Sequence, residues 1–214
     1  MVVSRVMTKN PIFVHPEMSI NEVHSLMDKE KIRHVPVLDK INNLVGLITR
    51  ENLAKAGPSA ATTLDMYEIS YLLSKMTVRE VMKKNVITVA ENEVVEEAAR
   101  IMADRSIGCL PVLREKLLVG IITQKDLFRV FVDAFGARHP GVRITCSIKE
   151  KPGQMAKLTH AVAEEGGNLV SIITFEGDDL SLRRVTLKID GLKREGVEAI
   201  IKSLPDVELE DIRE

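Results

Sequence analysis

Gly120-Ile121-Ile122-Thr123-Gln124-Lys125-Asp126 closes the second copy of a repeat whose first copy ends in Gly46-Leu47-Ile48-Thr49-Arg50-Glu51-Asn52. Working outward, His34-Val35-Pro36-Val37-Leu38 returns as Cys109-Leu110-Pro111-Val112-Leu113. Val6-Met7-Thr8-Lys9-Asn10-Pro11-Ile12-Phe13-Val14 returns as Val81-Met82-Lys83-Lys84-Asn85-Val86-Ile87-Thr88-Val89. Three matches in the same order identify a duplicated unit. Twins of this kind bury their apolar faces against each other, and the seam between them is a natural ligand cleft.

Composition narrows the function classes. The 214-residue chain is 45% hydrophobic with a formal net charge of -1. Those values suit one or two folded domains and give no electrostatic reason to expect nucleic acid. Aromatic residues make up 3% of the chain and Trp is absent, so the core must be aliphatic and base-stacking platforms are scarce. Cys109 and Cys146 lie in apolar runs and read as small buried hydrophobes, not as a disulfide framework. The five histidines, His15, His24, His34, His139 and His160, show no metal-ligand spacing, and no P-loop or dinucleotide-type glycine loop occurs. Neither catalysis nor a bound metal is expected. Without a signal-peptide pattern or an apolar run near the ~20 residues of a membrane span, a soluble cytoplasmic protein is expected.

Each repeat shows the same order of elements. Ile12-Phe13-Val14 is a short extended run, and Ser19-Ile20-Asn21-Glu22 has the capping-box pattern of a helix start. Val23, Leu26 and Met27 then mark one apolar helix face. Strands follow at His34 to Leu38 and Leu44 to Ile48, and a helix begins near Arg50. The second copy predicts a strand from Val86 to Val89 and a helix carrying Ala98, Ala99 and Met102. It continues with strands Cys109 to Leu113 and Leu118 to Ile122, and a final helix bearing Leu127, Val130 and Phe131. Between the copies, residues 57–63 read as a flexible linker. Capping-box patterns follow at Asp65-Met66-Tyr67-Glu68, ahead of Ile69, Leu72 and Leu73, and at Thr77-Val78-Arg79-Glu80.

Beyond Gly136 the pattern changes. Val142 to Ile148 alternates as a strand, and Gln154 to Glu165 has helical spacing. Strands Leu169 to Phe175 and Arg184 to Ile189 flank the turn Glu176-Gly177-Asp178-Asp179. A helix with Val197, Ile200, Ile201 and Leu204 leads to a strand from Val207 to Ile212. That order, βαββαβ, is ferredoxin-like. The expected domains are repeat one at 1–56, an inserted linker with a short helix at 57–76, repeat two at 77–135 and a third domain at 142–214.

On these residues the repeat resembles the cystathionine-β-synthase (CBS) domain, through the pattern Gly-aliphatic-aliphatic-Thr-x-x-Asp met in full at Gly120 to Asp126. The third module resembles an ACT domain through Lys151-Pro152-Gly153-Gln154-Met155 and Glu165-Gly166-Gly167-Asn168-Leu169. The order CBS–CBS–ACT is most similar to the AcuB-type family of acetoin-utilisation accessory proteins. The implied fold class is mixed, α+β and α/β: a tandem CBS pair (a Bateman module) plus a ferredoxin-like ACT domain.

Residues alone leave two readings of Asp126 open. A carboxylate at a helix start can accept the hydroxyls of a ribose, with Thr123 reaching the sugar or α-phosphate; equally, Asp126 can simply cap its helix. The resemblance favours the ligand and implies that Asp126 works with the strand start of repeat one. Of Ile32, Arg33, His34 and Pro36 there, Ile32 would then pack the adenine, and Arg33 and His34 would meet phosphate. The twin cleft, with Thr49, Asn52 and Ile107, has an amide where the first has a carboxylate, and Gly108 and Cys109 where the first has Arg33 and His34. It reads as the poorer site. In the ACT-like module, Gly153 and Asn168 occupy effector-contact positions, whereas Ile148 and Glu150 depart from the amino-acid-binding pattern. That module either dimerises or senses a small metabolite. The implied ligand is an adenosine nucleotide (AMP, ADP, ATP or S-adenosylmethionine), and the implied partners are a second copy of the chain and a regulated enzyme. The rival reading is a ligand-independent dimeric scaffold.

Overall fold

The computed structural model describes residues 1–56, 65, 68, 71, 75–177 and 180–214. The linker at 57–63, the helix face of Ile69, Leu72 and Leu73, and the Asp178-Asp179 turn lie outside the described residues. Asp65 and Glu68 do exchange the expected bonds: Asp65 N–H donates to Glu68 Oε2 at 3.1 Å, and Glu68 N–H to Asp65 Oδ1 at 2.8 Å. The chain divides into two compact units, Met1–Leu127 and Phe128–Glu214.

In the first unit, repeat one runs from helix α1 (Ile20–Lys29) to strands β2 (His34–Leu38) and β3 (Leu44–Thr49) and helix α2 (Arg50–Ala56). Repeat two is entered through helix α3 (Val78–Val81) and strand β4 (Val89–Ala90). It continues as α4 (Val95–Asp104), β5 (Cys109–Arg114), β6 (Leu117–Thr123) and the start of α5 (Gln124–Ala134), of which residues to Leu127 belong to this unit. Ser19 caps α1 through a reciprocal box with Glu22, and Thr77 does the same for α3 with Glu80. Helices α1 and α4 end in the same way. Lys31 and Ser106 adopt positive φ, and the next amides, Ile32 and Ile107, each donate back at 3.0 Å to Met27 and Met102. This closure turns the chain sharply and aims it into β2 and β5.

The repeats exchange their opening segments. The initial strand β1 (Thr8–Lys9) pairs antiparallel with β6 of repeat two, Thr8 opposite Ile121, giving a sheet of order β1-β6-β5-β4. Val3 and Met7 accordingly pack in the core around Val89, Met102, Leu110 and Ile122. Conversely, Lys83 exchanges two main-chain bonds of 2.9 Å with Leu47, and Val78 and Met82 pack in the core around Val23, Met27, Val35 and Ile48. Leu47, Cys109 and Ile121 bury one another where the two copies meet.

The second unit contains the βαββαβ order: β7 (Val142–Lys149), α6 (Gln154–Glu164), β8 (Asn168–Glu176), β9 (Leu182–Asp190), α7 (Arg194–Ser203) and β10 (Val207–Arg213). Its antiparallel sheet has the order β10-β7-β9-β8. Ile144, Cys146, Leu187 and Ile189 meet Leu158, Val162, Val197 and Ile201 of the two helices in one core. One expectation needs correcting. The strand expected at Val86 to Val89 is reduced to Val89–Ala90, because only Val89 and Ala90 reach a partner, Val112 and Leu113. Of the residues expected on the final helix of repeat two, Leu127 packs in the first unit's core, and Phe131, which belongs to the second unit, is 57% exposed and lies against Phe135 with ring centroids 4.4 Å apart.

Candidate functional site

Thr123 ends β6 and Asp126 lies in the first turn of α5. Asp126 is only 5% exposed. Its Oδ2 accepts the Thr123 amide at 2.9 Å and the Thr123 hydroxyl at 2.7 Å. In the twin, Asn52 Oδ1 accepts the Thr49 amide at 3.0 Å and the Thr49 hydroxyl at 2.9 Å. Both residues therefore cap their helices, and an amide does so as well as a carboxylate. What distinguishes the two positions is charge. The Thr123 hydroxyl has given its one proton to Asp126 and retains acceptor capacity.

The strand start of repeat one reaches toward this helix start. Arg33 is exposed, His34 and Ile32 are half-buried, and Pro36 is buried within β2. His34 lies opposite Thr49 within its own hairpin. Its ring extends to repeat two: a Cβ built on Gly108 would lie 3.0 Å from His34 Nε2, 3.4 Å from its Cε1 and 3.8 Å from Gln124 Oε1. Gly108 thus leaves the imidazole its space, and Gln124 follows directly on Thr123. Gln124 is further fixed by its amide, which donates to the Gly108 carbonyl at 3.1 Å; its counterpart Arg50 donates to the Arg33 carbonyl at 3.0 Å. Burial, aided by the Arg33 guanidinium, holds the His34 imidazole below its ordinary pKa and hence neutral near pH 7. The arrangement brings together His34, Gly108, Gln124, Thr123 and Asp126, with Arg33 adjacent in sequence. Sequence reasoning did not single out Gln124 or the spacing role of Gly108. The signal was available, because Gly108 stands where repeat one has Arg33.

Thr49 and Asn52 are half-buried, as is Ile107, two residues before β5. Burial raises the Cys109 thiol to about 12, so it is neutral at physiological pH. In the second unit, Gly153 is the N-cap of α6 with φ of 85°, and no heavy atom lies within 4 Å of a Cβ built there. Asn168 begins β8 and is exposed. Glu150 is held by Arg183, and buried Gln154 donates to Asp206 Oδ2 at 3.1 Å. Among the described residues no group of three or more His, Cys, Asp or Glu could hold a metal ion, and no helix is long and apolar enough to cross a membrane.

Comparison with known proteins matches the CBS domain at residues 3–59 and 78–133, and a TTHA0829-like ACT domain at residues 140–213. Among curated proteins, the chain is 34% identical over 131 residues to L-aspartate semialdehyde sulfurtransferase of Methanocaldococcus jannaschii. It is 32% identical over 143 residues to inosine-5'-monophosphate dehydrogenase of Staphylococcus aureus. These matches cover 61% and 65% of this chain but 23% and 26% of the relatives, so the chain spans about a quarter of their length. Among solved structures, the CBS domain pair of protein MJ0100, in complex with 5'-methylthioadenosine and S-adenosyl-L-methionine, has a TM-score of 0.52 and 32% identity. That match covers 65% of this chain and 98% of the other. A Vibrio cholerae protein described as an acetoin utilization protein (AcuB) has a TM-score of 0.54 and 30% identity, with the same coverage. CBSX2 in complex with AMP has a TM-score of 0.50 and 27% identity over 61% of this chain and 96% of the other.

Proposed function

We propose that this chain, which belongs to the CBS-domain family and carries a TTHA0829-like ACT domain behind its repeats, is a regulatory sensor of an adenosine nucleotide. The observation that carries the reading is the meeting of His34, from repeat one, with Gly108 and Gln124 beside half-buried Thr123 and buried Asp126 of repeat two. A buried carboxylate at a helix start suits a ribose diol, and Arg33 and His34 suit a phosphate. Two of the similar CBS pairs were solved with adenosine ligands, which supports the ligand class. Ligand in this cleft would favour one arrangement of the two repeats, and a regulated enzyme would read that arrangement. The ACT domain dimerises the chain or senses a second small metabolite. Likeness to the Vibrio cholerae protein points to acetoin use as the regulated process. The chain itself is read as non-catalytic.

Calorimetric titration of the full chain with AMP, ADP, ATP and S-adenosylmethionine is the direct test. One strong site is the expected result. No heat with any of the four ligands would favour the rival, a dimeric scaffold that needs no ligand.

A further inference from the structure

We infer that Arg50 and Asp28 form a clamp on the start of β2, where Arg33 and His34 stand, and that this clamp sets the preference of the Asp126 cleft for a phosphate-bearing ligand over a neutral nucleoside. Arg50 acts through Arg33 and His34 and is a positioning residue. The inference rests on the proposed function and names what holds its phosphate-facing groups in place.

Arg50 opens α2 directly after Thr49, yet its side chain reaches back to the chain entering β2. Its Nε donates to the Ile32 carbonyl at 3.4 Å, and its Nη2 donates to the Met27 carbonyl at 3.4 Å and to the Asp28 carboxylate. Its own amide donates to the Arg33 carbonyl at 3.0 Å. The guanidinium thus spans the end of α1 and the residue before Arg33, on either side of the left-handed turn at Lys31. A planar fork of five donors can serve these acceptors together. The other Asp28 oxygen lies 3.2 Å from His24 Nδ1, one helical turn earlier.

Repeat two supplies the comparison. Its helix end and strand start are shaped by the same main-chain bonds, from Ile107 to Met102 and from Gln124 to Gly108. Ala99, Ala103 and Gln124, however, stand where repeat one has His24, Asp28 and Arg50. Main-chain bonds alone therefore suffice to make the turn. The side-chain clamp is added only in the repeat whose strand start carries Arg33 and His34, and it is missing where that start is Gly108 and Cys109. The Arg50 and Asp28 side chains are 44% and 50% exposed, and an ion pair so exposed contributes little to global stability. Its effect is local: it restricts the segment that must present a cation and an imidazole at a fixed distance from Asp126.

The test installs the residues of repeat two singly in the full chain, as Arg50→Gln and Asp28→Ala. Lys55→Gln is the control, because Lys55 and Glu51 form an ion pair confined to α2. Affinities for AMP and adenosine are measured by calorimetry, and each variant is melted. His34 is followed by NMR titration of the ligand-free protein, with its signal identified from His34→Gln.

Both clamp variants should melt near wild type, bind AMP about tenfold more weakly, the scale of one weakened charge-assisted bond, and bind adenosine nearly as before. Lys55→Gln should change neither ligand. The His34 midpoint, held low chiefly by burial, should rise in both clamp variants as the ring loses its packing. Direct electrostatics would instead move it in opposite directions, since one change removes a cation and the other an anion. A wild type that prefers AMP, with that preference kept in both variants, would overturn the clamp and leave the proposed function standing. A wild type that binds AMP no better than adenosine would overturn the phosphate reading. The clamp then stands or falls on His34: upheld if its midpoint rises in both variants, overturned if it stays or splits.

Discussion

At the residue scale, Asp126 and Asn52 do the same structural work with different charge, and this separates capping from recognition. Asp126→Ala removes a helix cap, at a cost of roughly 1 kcal/mol, as well as any ligand contact, so its effect is mixed. Asp126→Asn keeps the acceptor that Asn52 already supplies to Thr49. We expect Asp126→Asn to unfold at nearly the wild-type temperature while nucleotide affinity falls by about 1.5–3 kcal/mol, the scale of a hydrogen bond to a charged group. Calorimetry paired with thermal melts checks this, and unchanged affinity would return Asp126 to a purely structural role. His34 provides a pH readout. Its folded pKa lies below its ordinary value of about 6.5, chiefly through burial. The unfolded chain therefore binds the extra proton more readily, and the His34 contribution to stability is present above that pH and lost as pH falls below it. A phosphate beside the ring would reverse that bias. AMP should then bind more tightly at pH 6 than at pH 7.5, adenosine should change little, and Arg33→Ala should weaken AMP more than adenosine. Equal responses of AMP and adenosine in both titrations would remove these two residues from the phosphate.

At the element scale, the exchange of opening segments explains why the motif begins with glycine. A Cβ on Gly120 would collide with the Met7 side chain, and one on Gly46 with that of Met82. Each motif strand therefore takes a methionine from the segment that opens the other repeat in sequence. Gly120→Ala should displace the Met7 sulfur and destabilise the first unit by about 1–3 kcal/mol, the range for overpacking. Met7→Ala alone should leave a cavity, and the double variant should recover part of the loss, since the two changes share one space. Additive denaturation energies from chemical unfolding would show that the two sites do not touch. These contacts sit on β6, the strand that delivers Thr123, so strain there should also reduce ligand affinity.

At the scale of the whole molecule, the two compact units divide between Leu127 and Phe128, within α5. The clustered site residues, His34, Gly108, Thr123, Gln124 and Asp126, all belong to the first unit. The ACT domain belongs to the second. Deleting residues 142–214 should therefore weaken self-association and leave nucleotide affinity largely intact. Light scattering over a dilution series, beside calorimetry on the same samples, measures both. Loss of binding in a truncated chain that still melts cooperatively would mean that the second unit completes the site.

The duplicated motifs, the capping boxes at Ser19 and Thr77 and the βαββαβ order were all legible in the sequence, because each rests on local periodicity or on bonds between near neighbours. So was the placement of Thr123 at a strand end and of Asp126 at the helix start that follows it, three residues apart. Which repeat's core receives Val3, Met7, Val78 and Met82 was not legible, since an apolar residue satisfies either core and only three-dimensional packing selects one. The same limit applied to Phe131, whose helical spacing marks an apolar face but cannot say what that face meets. The closeness of His34 to Gly108 and Gln124 was decided by tertiary structure alone. It depends on two distant strand starts, each aimed by a left-handed residue at a helix end, being brought together when Leu47, Cys109 and Ile121 bury one another.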